Sequence, residues 1–250
     1  MIKKIITIIL VFFKQPQKLK KILKSLKVLF YEGVNGYKTK IKSMIRLSKN
    51  IKYETNNETK ALEIFNYQQS ELIENNIFIN SLINKPIISI IMPTYNTPLI
   101  WLKKAIESVV KQIYLNWELC IIDDKSTDID IIKYLESIQL NGDSRIKVVF
   151  KDKNTGISDT SNVGLNISTG DYIALLDHDD ELTKDALFWV VKEINDYPDV
   201  DFIYSDECKI DDTPDKRMFH FFFKPDWSPE LLFNSMYTGH LTVYKKKHNI

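Results

Sequence analysis

The 250-residue sequence is poor in the residues that mark several large protein classes: two cysteines, seven glycines and eight prolines. Cys120 and Cys208 cannot staple a disulfide framework, and they lack the spacing of a metal site. They read as small buried residues in a reducing cytoplasm. Long apolar runs are also missing. Residues 5–13 are mostly apolar and follow two lysines, but a spanning helix needs roughly 20 such residues. Lys14, Gln15 and Pro16 come next, without a small-residue cleavage site, so we expect neither a transmembrane helix nor a cleaved signal. Net charge is near zero, at +1, which gives no reason to expect a nucleic-acid partner.

Charge is present, but it is divided along the chain. Residues 1–52 hold thirteen lysines and Arg46 against the single acid Glu32, leaving twenty bases and thirty-two acids for the remaining residues. Leu19, Ile22, Leu23, Leu26, Leu29 and Phe30 recur at helical spacing among Lys18, Lys20, Lys21, Lys24 and Lys27. A basic amphipathic helix of this kind suits an anionic membrane surface. It equally suits packing on the body with its lysines in water. A second helical stretch is expected over about 61–83. Residues 1–85 thus form a basic helical extension and 86–250 a separate domain.

From Pro86 the pattern changes. Residues 87–92 are apolar and β-branched, 117–122 repeat that character, and 146–150, 172–176 and 200–204 follow as further short strands. Helical spacing fills the intervals: Leu102, Ala105, Ile106 and Val109, then Ile131, Leu135 and Ile138, then about 157–168 up to Gly170, then Leu187, Val190, Val191 and Ile194. Thr97, the Ser126-Thr127-Asp128 run and Thr183 are placed to cap these helices, with Pro98 at a first helical position. Strand and helix alternating at this rhythm predict an α/β fold, a mostly parallel sheet with helices on both faces. Ligands of such sheets sit beyond the carboxyl ends of the strands.

Those strand ends are acidic: Asp123-Asp124, Asp152, Asp177-His178-Asp179-Asp180-Glu181, and Asp206-Glu207. Crowded carboxylates repel one another, and a divalent cation relieves the cost; oxygen ligands suit Mg²⁺ or Mn²⁺. Asp177 and Asp179 are two apart, so on an extended strand end they point the same way. Asp180 and Glu181 read equally as members of a solvated turn or cap, and His178 as a packed or solvent-facing side chain. A cation there would stabilise the charge that develops on a departing diphosphate.

Four ordered motifs carry a resemblance. Ser89-Ile90-Ile91-Met92-Pro93-Thr94-Tyr95-Asn96, Asp123-Asp124-Lys125-Ser126-Thr127-Asp128, Asn154-Thr155-Gly156-Ile157-Ser158 with Asn162-Val163-Gly164, and Asp177-His178-Asp179 together resemble the signature of family-2 glycosyltransferases. The resemblance implies the GT-A, Rossmann-like fold over 86–250 and a nucleotide-diphosphate sugar as donor. It places Pro93, Thr94, Tyr95 and Asp124 at the base and ribose, with Asp123 supporting that loop. Asn154 and Gly156 would wall the nucleotide, and Asp177 and Asp179 would serve the metal and diphosphate. The stretch from Tyr204 to Leu232 resembles transferases that assemble bacterial surface polysaccharides, including rhamnosyl-type ones. There Trp227 and His240 could face the donor sugar or a saccharide or lipid-linked acceptor; Trp227 reads equally as a core aromatic. The implied location is the cytoplasm, peripheral at the inner face of the membrane.

Inverting members of that family use a carboxylate as general base, in a motif downstream of the region matching 241–250. No counterpart is visible, so the expectation is a donor-binding fragment that transfers poorly, with Asp206 and Glu207 as candidate substitutes. The alternative is a membrane-docked nucleotide-sugar binding or scaffolding piece without catalysis. Other enzyme classes fit less well. The turn after the first strand has no glycine for a dinucleotide. Glu181 stands where a dehalogenase-type phosphatase wants Thr or Val, and no Gly-rich basic loop awaits a triphosphate.

The basic extension gives a direct test. The full chain should sediment with vesicles containing anionic lipid and be released as salt rises above about 0.15 M, where screening reaches roughly 8 Å; a chain lacking 1–52 that binds equally would discard the membrane reading.

Overall fold

The structure, a computed structural model, describes residues 78–211 and 218–246. Apart from residues 78–85, of which 78–81 are helical, the expected basic extension lies outside the described residues. These fall into two compact units, one of 78–205 with 238–246 and a smaller one within 206–237.

In the larger unit the chain runs β1 (Ile88–Thr94), α1 (Leu99–Val110), β2 (Trp117–Asp123), α2 (Ile129–Asn141), β3 (Ile146–Phe150), α3 (Ile157–Ile167), β4 (Tyr172–Leu175), α4 (Ala186–Asp196) and β5 (Phe202–Tyr204). In the smaller unit β6 (Glu207–Ile210), β7 (Met218–Phe222) and α5 (Pro229–Leu232) follow, and β8 (Thr242–Lys245) returns to the larger. The main sheet has the order β3-β2-β1-β4-β8-β5. β1 is parallel to both β2 and β4, and β2 to β3, whereas β8 is antiparallel to β4 and β5. This is the α/β, mostly parallel sheet expected for the GT-A type.

Every residue of β1 and β2 is buried, which accounts for their continuous apolar runs. Ile88, Ile90 and Met92 pack with Leu102 and Val109 of α1, Leu135 of α2 and Val191 of α4. The alternate residues Ile91, Cys120, Ile122 and Ile173 meet α3 on the other face through Val163, Leu165 and Ile167. Burying each such side chain contributes about 1.5–3 kcal/mol. Cys120 thus serves as a small core residue, and burial pushes its thiol up to about 12. No described helix is long and apolar enough to cross a membrane.

The amino ends of the strands are tied by a buried acid. Glu118 accepts hydrogen bonds from Ser89 Oγ at 2.6 Å, Lys147 Nζ at 2.7 Å, Thr169 Oγ1 at 2.8 Å and the Thr169 amide. Burial alone would raise its carboxyl; these donors outweigh it and hold the group at about 2. The Gly170 amide completes the tie by donating to Ser89 Oγ at 2.8 Å.

Three expectations change. Thr97 does not cap α1: it is buried with its hydroxyl 2.9 Å from that of Thr94, and Pro98 flanks the helix without a side-chain cap. Thr183 does not cap α4, which begins after Asp185; instead its carbonyl accepts from the Ala186 amide and from Gln112 Nε2. The fifth strand is shorter than the expected 200–204, spanning Phe202–Tyr204, and pairs with β8. Asp128 does cap α2, accepting from the Asp130 amide at 2.9 Å.

The smaller unit pairs β6 with β7 antiparallel, and Ser228 caps α5 with Pro229 following it. Lys224 is fully buried there, 2.7 Å from Glu207 Oε2, and its amide donates to Asp206 Oδ1 at 2.8 Å. Trp227 is exposed.

Close packing of α3 on the sheet is set by Gly164, where an added Cβ would lie 2.6 Å from Ile91 Cγ2 and 2.7 Å from Ile122 Cδ1. Gly164→Ala should therefore destabilise the chain by about 1–3 kcal/mol in urea unfolding; an unchanged midpoint would show that α3 is free to lift.

Candidate functional site

The carboxyl ends of β1 to β4 share one edge of the sheet, and their loops are linked to one another by side chains. Asn96, in the β1–α1 loop, has a φ of 48° and reaches across to the β2–α2 loop. Its Oδ1 accepts from the amides of Thr127 at 2.8 Å and Asp128 at 3.3 Å, and its own amide donates to Ser126 Oγ at 2.9 Å. The Thr94 carbonyl accepts from the Asp124 amide at 2.8 Å. Tyr95 is exposed, next to the buried Thr94. Asn and Thr, whose short polar side chains bond neighbouring backbone, suit such turns.

Asp123 and Asp124 act differently although they are adjacent. Asp123 Oδ2 accepts from the Ser126 amide at 2.9 Å, while its Oδ1 is buried without a protein partner. Asp124 turns to the β3–α3 loop, accepting from the amides of Thr155 at 3.0 Å and Gly156 at 2.8 Å. Lys151 Nζ lies 2.8 Å from Asp124 Oδ1. Burial would raise the Asp124 carboxyl, but Lys151 first, then the Thr155 and Gly156 amides and Thr160, bring it down to about 2. Gly156 occupies a φ of 88°, where a Cβ is strained whatever space surrounds it. Asn154 is exposed on the same loop.

At the end of β4 the chain turns, with the Asp180 amide donating to the Asp177 carbonyl at 3.2 Å. His178 turns away to the Pro93 carbonyl, 3.1 Å from its Nδ1, consistent with its reading as a packed residue. The turn brings Asp177 and Asp180 to His240: Nε2 lies 3.5 Å from Asp177 Oδ2, and Nδ1 lies 3.0 Å from Asp180 Oδ2. One ligand atom from each of these three half-buried residues falls within 4.8 Å of the others. Asp179 is exposed and stands outside this group. His240 is carried in by β8, which Ser205 anchors through its amide to the Leu241 carbonyl at 3.1 Å and its Oγ to the Leu241 amide at 3.0 Å.

The predicted residues therefore divide. Pro93, Thr94, Tyr95, Asp123, Asp124, Asn154, Gly156 and Asp177 all lie at the carboxyl ends of β1 to β4 or in the loops that follow. His240 joins the acids. Asp206, Glu207 and Trp227 belong to the smaller unit, where Asp206 and Glu207 hold Lys224. Sequence reasoning missed Asp180 and His240 as partners, because 63 residues separate Asp177 from His240 and only the insertion of β8 beside β4 joins them. It also missed Lys151, one of two lysines that flank Asp152 just after β3 and so look alike in the sequence.

The comparisons agree with this architecture. The pattern described as glycosyl transferase family 2 matches residues 89–249, and the chain belongs to that family. An uncharacterized protein of Sinorhizobium fredii, y4gI, is 45% identical over 161 residues, which are 64% of this chain and 17% of that protein. The O-antigen biosynthesis protein RfbC of Myxococcus xanthus is 30% identical over 65% of this chain and 12% of its own length. The Escherichia coli protein WfgD is named a UDP-Glc:alpha-D-GlcNAc-diphosphoundecaprenol beta-1,3-glucosyltransferase. It is 42% identical over 38% of this chain and 35% of its own length. The chain thus matches a fifth or less of the first two relatives and about a third of WfgD.

Asp124→Asn should lower stability by about 1–3 kcal/mol at neutral pH, since it leaves charge-assisted donors with a weaker acceptor. The folded value lies below the ordinary 3.8, so the wild-type contribution is full above that pH and is lost as pH falls toward about 2. Urea midpoints that converge for the two proteins only near that acid limit would agree; equal midpoints at neutral pH would contradict it.

Proposed function

We propose that this chain grips a nucleotide-diphosphate sugar together with a divalent cation. The sugar would pass to a saccharide or lipid-linked acceptor in the assembly of a bacterial surface polysaccharide. The observation that carries the reading is the meeting of Asp177, Asp180 and His240 at the carboxyl end of β4, at the same sheet edge as three interlinked loops. Support for the product class comes from the relatives, of which one is named for O-antigen biosynthesis and another transfers glucose from UDP-Glc to a lipid-linked sugar.

The donor set fits a metal. Two carboxylates and an imidazole within reach of one ion suit Mn²⁺ better than Mg²⁺, which prefers oxygen and retained water. In this reading Asp177 keeps its assigned part, and Asp180 and His240 take the place of Asp179. When bound, the ion would supply positive charge to the departing diphosphate. The chain's own groups do the rest. Pro93, Thr94 and Tyr95 line the base and ribose side, and Asp123 holds the β2–α2 turn through Ser126. Asp124 fixes Thr155 and Gly156, and Asn154 with Gly156 forms the wall toward the nucleotide. Trp227 offers an exposed ring of the kind that stacks on sugars. The basic residues before 53 would bring the chain to the inner face of the membrane.

A panel of UDP-, dTDP- and GDP-sugars tests this by thermal shift with and without Mn²⁺. At a hundredfold excess over Kd the matching donor contributes about 2.7 kcal/mol, which is roughly 5–10 °C for a chain of this size. Asp177→Asn, Asp180→Asn and His240→Ala should each remove most of the Mn²⁺-dependent part. If no donor raises the melting temperature in Mn²⁺, the proposal fails.

A further inference from the structure

The β3–α3 loop is exposed along residues 152–156, yet two of its amides are fixed. Both end on one carboxylate, with Thr155 N–H at 3.0 Å from Asp124 Oδ1 and Gly156 N–H at 2.8 Å from Oδ2. That carboxylate is buried, and a buried charge needs a counter-charge. Lys151 at the end of β3 provides it, and its side chain is only 10% exposed. The ammonium reaches Asp124 Oδ1 at 2.8 Å, Asp159 Oδ2 at 2.9 Å and Thr160 Oγ1 at 2.9 Å, and also contacts Thr155 Oγ1. It therefore joins the end of β2, the end of β3 and the first turn of α3 through one cation.

We propose that Lys151 is a positioning residue for the nucleotide: it holds the Asp124 carboxylate clasped on Thr155 and Gly156, so that the loop keeps the wall against which the donor nucleotide binds. The proposal rests on the donor-site reading above and adds to it a residue outside the acid–histidine group.

Three features separate this from a simple surface ion pair. Lys151 has two acidic partners on different elements, Asp124 on the sheet side and Asp159 on α3, and these would repel each other without it. Its bonds to both acids hold the ammonium in its charged form. Asp124 in turn uses both oxygens within the protein, so the loop geometry follows the carboxylate's charge state. Protonating Asp124 removes an acceptor from Thr155, Gly156 or Lys151. With Lys151 in place that happens at about 2; without the cation only the Thr155 and Gly156 amides and Thr160 oppose burial, and the carboxyl rises. The charged groups in this cluster are Asp124, Lys151 and Asp159, and Thr155 and Thr160 are the neutral hydroxyls that pack with them.

The test uses the full chain and whichever of UDP, dTDP or GDP binds the wild type by calorimetry in Mn²⁺. Lys151→Gln should weaken that nucleotide about tenfold at neutral pH, the scale of one lost charge-assisted bond. The deficit relative to wild type should grow as pH falls from about 8 to about 5. Lys151→Arg should restore binding to within about threefold, because the cation is kept. Mn²⁺ binding without nucleotide should be the same in all three proteins. Equal nucleotide affinity of wild type and Lys151→Gln across that pH range overturns the proposal while leaving the donor site intact. If the wild type binds none of the three nucleotides, the donor-site reading falls and this one with it. Should Lys151→Gln fail to fold, amide exchange in the wild type decides: Thr155 and Gly156 protected down to about pH 4 supports the clasp, and exchange at free-chain rates at neutral pH overturns it.

Discussion

Everything in the larger unit depends on β1 and β2 being buried on both faces. Their pairing, in register from Ile88 with Trp117 to Thr94 with Asp123, brings two loops out at the same height. A one-residue slip would exchange the residues facing α1 and α4 for those facing α3, so the hydrophobic packing fixes that height firmly. The Asp124 amide donating to the Thr94 carbonyl extends the pairing one step past the strands. From that point short side chains span from loop to loop, and Lys151 backs the second of them. Asn96 spans to Thr127, and Asp124 spans to Thr155. The Asp124 carboxylate is thus placed by a backbone bond that directly continues the paired strands.

A sheet edge of this kind concentrates acids, and the structure shows two ways of making them tolerable. At Asp124 the answer is internal: a nearly buried lysine and two amides carry the negative charge. At Asp177 and Asp180 it is an imidazole, which can either be a cation itself or share one. At the opposite edge Glu118 repeats the first solution with Lys147, Ser89 and Thr169. The two lysine-backed acids are both held at about 2 and are suited to permanent structure. The imidazole-backed pair is half exposed, and one ligand atom from each of the three residues lies within 4.8 Å of the others.

Local periodicity reveals elements whose partners are nearby in sequence, and this explains what could be read in advance. The β1-to-α4 order, the capping of α2 by Asp128 and the loops after β1, β2 and β3 all follow from patterns within about ten residues. Neither Thr97 nor Thr183 caps a helix, because each has another partner, one local and one distant. Thr97 bonds Thr94, and Thr183 gives its carbonyl to Gln112 from the end of α1. The position of β8 could not be read at all. Its four residues, Thr242 to Lys245, look like a continuation of the chain, and only the pairing of Val243 with Ala174 on one side and Ile203 on the other shows that they enter the sheet between β4 and β5.

That insertion is also why the site contains a histidine. A strand antiparallel to β4 begins at the edge where β4 ends, so the residues just before β8 arrive beside the residues just after β4. Leu175 pairs with Thr242, which sets His240 two residues before the pair and Asp177 two residues after it. The geometry demands proximity at that separation whatever the side chains are. A polar, metal-capable residue at 240 therefore costs the fold little, because it stands on the open rim and not in the core, half exposed like its acidic neighbours. The same argument accounts for Asp180 in place of Asp179. Once the chain turns after β4, with the Asp180 amide closing on the Asp177 carbonyl, alternation no longer decides direction. In a turn the residue three positions on comes back toward the first, and it is this return, not the two-residue spacing of an extended strand, that brings the second carboxylate to His240.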